Sequence, residues 1–131
     1  MRRPSILALV TTIAVAGTAM AQKPIELRIS DTQGGAQKAT FKPDVPKVFA
    51  AAKLEGIPAG KPLRCDWIAV KVEGAPENYK IDSWQGKSAS GQKDLTCSFS
   101  KPTAGWPVGD YRVDLFVDGK GAGKATFKVA K

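Results

Sequence analysis

The chain has 131 residues, of which 20 are lysine or arginine, 12 are acidic and none is histidine. Both methionines lie within the first 21 residues, and only two cysteines are present. Without histidine a Ser-His-Asp or Cys-His active site is excluded, and zinc, copper and haem sites lose their commonest ligands. The composition therefore favours a protein without a metal, a cofactor or an enzymatic activity.

Residues 1–21 have the three parts of a secretory signal peptide. Two arginines follow Met1, residues 6–16 are mostly apolar, and a small-x-small sequence ends at Ala21. An uncleaved membrane anchor is the alternative, but the apolar run is shorter than the roughly 18–20 residues that span a bilayer. We therefore expect residues 22–131 to be a single periplasmic or secreted domain with no transmembrane segment after processing.

Alternation of apolar and polar residues predicts β-strands in the remaining chain, and no segment shows a helical repeat. The first strands are predicted over residues 25–29, 48–54, 63–72 and 79–84. Apolar residues occupy both faces of the third of these strands. It is therefore either covered on both sides or bulged near its middle.

The second half of the chain continues the pattern, with strands over residues 95–99, 111–117 and 125–129. A glycine-rich turn over residues 118–123 joins the last two strands into a hairpin. About seven short strands separated by turns predict an all-β antiparallel β-sandwich. A small β-barrel is the alternative, because the strand pattern alone does not separate the two architectures.

Cys65 and Cys97 are an even pair in a chain predicted to be exported, which favours a disulfide over a metal site or a catalytic thiol. Each cysteine is in phase with apolar neighbours on its strand, so both sulfur atoms are expected to point into one core. The alternative is a redox pair that cycles with a partner. Such cysteines usually lie two residues apart at the start of a helix, which these do not.

Residues 106–113, Trp-Pro-Val-Gly-Asp-Tyr-Arg-Val, resemble the entry to the penultimate strand of immunoglobulin-like and fibronectin-type-III-like domains. The resemblance implies that Tyr111 anchors a corner of the fold through its hydroxyl group and that Trp67 is the core tryptophan. Cys97 precedes the tyrosine strand, whereas the second cysteine of antibody domains lies within it. The resemblance implies a bacterial-style secreted immunoglobulin-like sandwich, and such domains are mostly binding, adhesion or structural modules.

Asp110, Asp114 and Asp118 recur every four residues and are candidates for paired catalytic carboxylates. Positions four apart on a strand are separated by roughly 13 Å, and outward positions on an exposed strand are usually solvated. Residues 118–126 superficially resemble a phosphate-binding loop, but the segment lacks the first glycine and the hydroxyl residue and joins two strands. We therefore predict no catalytic residue.

Lysines are spread along the chain instead of forming a basic run, and arginine is scarce. Nucleic-acid-binding proteins cluster these residues and interleave aromatic side chains, so no nucleic-acid partner is expected. Lysines on exposed strands discourage aggregation between sheet edges, and they also attract anionic surfaces of the cell envelope.

Trp84, Trp106 and Tyr79 are the candidate contact residues, because aromatic side chains anchor many interfaces. For Trp106, in a Gly-Trp-Pro turn, packing over the end of the sandwich is the competing interpretation. We hypothesise a non-catalytic binding module whose partner is an envelope or secreted protein or an anionic wall component. The alternative is a small inhibitor or immunity-type protein that acts on a secreted hydrolase. The sequence leaves the oligomeric state open.

Overall fold

The computed structural model describes residues 25–131, so the predicted signal peptide at residues 1–21 and its cleavage site lie outside the described residues. The described part contains eight β-strands and no helix that could cross a membrane. The strands are β1 (Leu27–Ser30), β2 (Thr40–Phe41), β3 (Lys47–Lys53), β4 (Pro62–Val72), β5 (Tyr79–Lys87), β6 (Asp94–Ser100), β7 (Gly109–Val117) and β8 (Lys120–Val129).

The strands form two sheets that enclose a common core. One sheet has three strands in the order β1-β3-β6, and the other has five in the order β2-β8-β7-β4-β5. Neighbouring strands are antiparallel except for β2, which runs parallel to β8. Because the sheets do not close on themselves, the predicted β-sandwich is confirmed and the β-barrel alternative is wrong.

One lateral side of the sandwich is closed by the first described residues. The Ile25 amide donates to the Ala122 carbonyl at 2.7 Å, next to the five-stranded sheet, and β1 then pairs with β3 in the other sheet. The chain returns at β2, which pairs with the end of β8. This two-residue strand escaped the sequence prediction because a segment so short shows no alternation.

The hairpin between β7 and β8 is tighter than the predicted turn of residues 118–123. Only Asp118 and Gly119 lie between the paired residues Val117 and Lys120, and both have positive φ angles of 53° and 80°. Positive φ at both central residues is typical of a type I′ turn, whose twist matches that of the flanking strands. The later glycines therefore belong to β8.

Strand β4 is central in its sheet and irregular, so the predicted bulge is confirmed. It lies between β7 and β5, and its register shifts after Trp67 on one side and after Ala69 on the other. Its partner β5 ends at Lys87, beyond the predicted end at residue 84. The added residues matter for the site described below.

The Cys65–Cys97 disulfide joins β4 to β6 across the core, as predicted. Cys65 is fully buried and Cys97 is 3 % exposed, because both lie in phase with buried apolar neighbours on their strands. The bridge therefore connects the two sheets, and it also identifies which strands face each other: β4 lies opposite β6.

Trp106 is the centre of an aromatic cluster in the core. Its ring packs edge-to-face against Phe99, Tyr111 and Phe127, with ring centroids 5.3 to 6.0 Å apart. The side chain is 2 % exposed, and its indole N–H donates to the Val45 carbonyl at 3.0 Å. The prediction that Trp106 is a contact residue is therefore corrected: its ring is buried and its polar atom is satisfied, which describes a packing residue.

Tyr111 makes the corner that the resemblance implied. It is 1 % exposed, and its hydroxyl donates to the carbonyl of Pro107, four residues earlier. Burial raises the pKa of Tyr111 to about 12 because the ionised phenol would lose its hydration. Trp67, at 1 % exposure, is likewise the core tryptophan.

The raised pKa of Tyr111 predicts a loss of stability at high pH. In the unfolded chain a phenol ionises near pH 10, about two units below its folded value. The stability gained from the neutral buried phenol is therefore complete below pH 10 and lost as the pH rises through 12. Denaturant unfolding across this pH range should show a smaller fall in the free energy of unfolding for Tyr111→Phe than for the wild type. If the free energy of unfolding falls equally in both proteins, Tyr111 is not the cause of the fall.

Candidate functional site

Strand β5 projects past the edge of the three-stranded sheet. The disulfide places β4 opposite β6, and β6 is the last strand of its sheet. In the described part of the chain, β5 therefore has no strand opposite it. Its core-facing side is left open over the width of one strand, about 4.8 Å.

A β-bulge brings the exposed aromatic residues of β5 onto the same side. In the ladder with β4, Trp84 pairs with Cys65 and Tyr79 pairs with Ala69, and directly paired residues lie on one side of a sheet. Both partners face the core, so both aromatic residues face the same way. Ile81 is the extra residue; without it, positions five apart would point to opposite sides.

Tyr79 and Trp84 are the large hydrophobic side chains that the described residues leave exposed, at 53 % and 39 %. Their partners on β4 lie four residues apart, so the two aromatic residues are separated by roughly 13 Å along the strand. Two of the three predicted contact residues thus share one surface.

Gly86 supports the indole ring of Trp84. A Cβ atom at Gly86 would lie 2.7 Å from two ring atoms, Cζ2 and Cη2. The ring therefore lies against the glycine backbone two residues further along the same side of β5. Sequence reasoning missed this glycine; the signal was its position two residues after an exposed tryptophan on one strand.

The Gly86→Ala substitution should move the Trp84 ring with little effect on stability. The added methyl group meets the far end of an exposed side chain, which can rotate away, so the free energy of unfolding should change by less than about 1 kcal/mol. Tryptophan fluorescence should shift, because Trp67 and Trp106 are buried elsewhere. The matched control Gly121→Ala, where a Cβ meets nothing within 4 Å, should leave the spectrum unchanged.

Asp82 lies between the two aromatic residues. It pairs with Trp67 on β4, so it is on the same side of the sheet, and its side chain is exposed. Among residues 25–131 it forms no ion pair. We call Tyr79, Asp82, Trp84 and Gly86 the β5 ledge: two aromatic rings that flank an unpaired carboxylate.

On the opposite face of the same sheet, two aspartates each lie beside an arginine. Arg64 Nε lies 3.2 Å from Asp66 Oδ1, and Arg112 Nε donates to Asp114 Oδ1 at 2.8 Å. The two aspartates are direct partners across the ladder, and Ser83 also donates to Asp66 at 2.7 Å. Because each carboxylate has its own cation, their mutual repulsion is offset locally.

The carboxylates considered for catalysis are likewise paired with cations. Asp110 lies 3.8 Å from Lys128, and Asp118 lies 3.7 Å from Lys61, while Asp114 is held by Arg112. In the described ranges, no three metal-ligating side chains come together. None of these groups forms a site with the ledge, which is on the other side of the sheet from Asp114.

The comparison with solved structures identifies the fold. An immunoglobulin-like protein from Pseudomonas aeruginosa matches 87 % of this chain and 100 % of its own chain, with a TM-score of 0.55 and 16 % identity. The chain has an immunoglobulin-like fold. The predicted resemblance is thereby confirmed at the level of the fold. No family model and no curated protein sequence matches the chain.

Two further matches cover only a part of each matched protein, at TM-scores below 0.5. A β-glucosidase from Listeria innocua in complex with isofagomine has a TM-score of 0.49 and 14 % identity, over 82 % of this chain and 16 % of the glucosidase. An alkylpurine DNA glycosylase from Pseudomonas fluorescens, bound to DNA, has a TM-score of 0.47 and 15 % identity, over 82 % and 30 %. The chain spans less than a third of either protein.

Proposed function

We propose that this chain is an exported, non-catalytic interaction module that binds a protein of the cell envelope through the β5 ledge. The observation that carries the proposal is the placement of Tyr79 and Trp84 on one uncovered side of an edge strand. Aromatic residues supply large contact areas and dominate many interfaces. Because the bulge turns both rings to the same side of β5, a single partner can contact both of them.

Export is supported by the disulfide, because such bonds form and persist in oxidising compartments. It is also supported by the signal-like sequence at residues 1–21. Expression in a bacterial host followed by cell fractionation tests it. Intact mass should give a periplasmic product that begins at Gln22 and contains no alkylatable thiol. A full-length reduced product in the cytosol would contradict export.

The absence of catalysis is proposed on two grounds. The chain has no histidine, so the commonest general base is missing. The aspartates considered for glycosidase chemistry each lie beside a lysine or an arginine.

The binding role is tested by capture from an envelope fraction on immobilised protein. The wild type should retain one partner protein, and Trp84→Ala and Tyr79→Ala should each lose most of it. Phe116→Ala is the matched control, because Phe116 is an aromatic residue on the opposite face of the same sheet, where the Arg64 guanidinium lies 4.0 Å from its ring. Capture that survives the double variant Tyr79→Ala/Trp84→Ala would overturn the proposal.

An anionic wall polymer would give a different result in the same experiment. Its binding would depend on dispersed lysines, so retention would fall steeply with salt and would not depend on Trp84. That outcome would mean that binding depends on the positive charge of the whole surface and not on the β5 ledge.

A further inference from the structure

We infer that the partner supplies an isolated extended segment, which pairs with the free edge of β6 as an added strand and covers the β5 ledge. This inference rests on the proposed function and names its mode of binding. It starts from the arrangement of the two sheets: β4 faces β6, and β5 lies one strand beyond β4. A strand added to β6 would occupy the vacant position opposite β5.

The distances suit such a segment. Strands in a sheet lie about 4.8 Å apart, and packed sheets lie about 10 Å apart. A strand next to β6 would therefore lie over β5 at the normal spacing of a sandwich. Its inward side chains would bury the rings of Tyr79 and Trp84, which in the described chain have no opposite layer.

Within residues 25–131, the outer edge of β6 presents backbone groups without a strand partner in a regular row. The Leu54 amide donates to the Lys93 carbonyl, and the Lys101 amide donates to the Pro46 carbonyl, and these two bonds fix the phase of the β3–β6 ladder. Residues of an antiparallel strand alternate between bonding the partner and facing away from it. The N–H and C=O groups that face away from β3 are those of Thr96, Ser98 and Ser100.

The two neighbouring edges differ in how they resist pairing. Strand β5 carries Lys80 and Lys87 and is interrupted by the bulge at Ile81, three features that protect edges. Strand β6 has no lysine, no proline and no register shift along its seven residues. An added strand is therefore expected at β6, with β5 as the surface that it covers.

A second copy of the chain does not fit this position. If two sandwiches paired through their β6 strands, the two β4 strands opposite them would also be brought to about 4.8 Å from each other. The β5 strand of each copy would then have to fit between the two β4 strands, where there is no room. The geometry admits a single strand without a facing sheet, such as an extended terminal or linker segment.

The ledge also indicates the composition of the segment. Alternate residues of an added strand face Tyr79, Asp82 and Trp84 in turn. The rings favour apolar side chains, and the unpaired carboxylate of Asp82 favours a basic one. The expected segment presents an apolar, a basic and an apolar residue at successive inward positions.

The test uses residues 22–131 with the disulfide intact and a synthetic peptide in which Leu, Lys and Leu alternate with Thr. Amide hydrogen exchange followed by NMR should show new protection at Thr96, Ser98 and Ser100 when the peptide is added. Trp84 fluorescence should shift to shorter wavelength. A peptide with Glu in place of Lys should bind at least about tenfold more weakly, because it places a carboxylate beside Asp82.

The variant Ser98→Pro removes an outward N–H without removing a bond to β3. It should weaken peptide binding at least about tenfold, whereas Ser98→Ala should bind like the wild type. If Ser98→Pro fails to fold, the exchange measurement on the wild type still tests whether the peptide pairs with β6. Protection at Ser83, Gln85 and Lys87, absence of binding, or a dimer protected at β6 without peptide would each overturn the inference. If Trp84→Ala loses the envelope partner but Ser98→Pro keeps it, the proposed function stands and strand addition fails.

Discussion

Replacing both bridge cysteines, Cys65→Ala/Cys97→Ala, should lower the free energy of unfolding by about 3–4 kcal/mol. The bridge closes a loop with a sequence separation of 32 residues, and opening it returns conformational freedom to the unfolded chain. The loss should be large because the bridge also joins the two sheets across the core. Urea unfolding of the variant and of the oxidised wild type measures the difference.

Chemical reduction of the wild type is the matched control for this substitution. It opens the same loop without deleting the sulfur atoms, so the part of the loss that reduction fails to reproduce is due to packing at the two buried positions. If the reduced protein unfolds at the same urea concentration as the oxidised one, the bridge contributes no stability and the expectation is wrong.

The Trp106→Ala substitution should cost about 3–5 kcal/mol, while Trp84→Ala should cost less than about 1 kcal/mol. Trp106 is 2 % exposed and contacts three aromatic rings, and its removal also leaves the Val45 carbonyl without its indole donor. Trp84 lies on an open ledge. Thermal and urea unfolding of the two variants should separate the packing tryptophan, Trp106, from Trp84, for which binding is proposed.

For partner capture, the effects of substitutions at the two tryptophans should have the reverse order. Trp84→Ala should abolish partner capture in a protein that remains folded. Trp106→Phe, which keeps an aromatic ring in the core, should retain capture with a moderate loss of stability. A folded Trp106→Phe protein that no longer binds would mean that the contact surface lies near the β6–β7 connection instead of on β5.

Most of the fold was predictable because alternation is a local property. The phase of Cys65 with Trp67 along β4 and the alternation around Cys97 on β6 are visible in the sequence, and they predicted a bridge across a sandwich core. The Tyr111 corner was predictable because a short segment carries it. These features need no knowledge of which strands are neighbours.

The candidate site was only half predictable because it depends on non-local facts. Trp84 was identified as a candidate contact residue, but its common surface with Tyr79 depends on the bulge at Ile81. The open side of β5 depends on the sheets having three and five strands. Both contact and packing were considered for Trp106, because a turn sequence does not reveal whether the ring points outward or into the core; the ring is buried.

The closure of one lateral side by Ile25, β1 and β2 has a consequence for the inferred strand addition. These segments bond to both sheets, so that side offers no vacant position between layers, while the β5–β6 side offers one. The inferred strand addition therefore has one acceptor position on the described part of the chain and no second one. Strand addition of this kind would terminate an assembly or protect a single segment, but it would not propagate into a fibre.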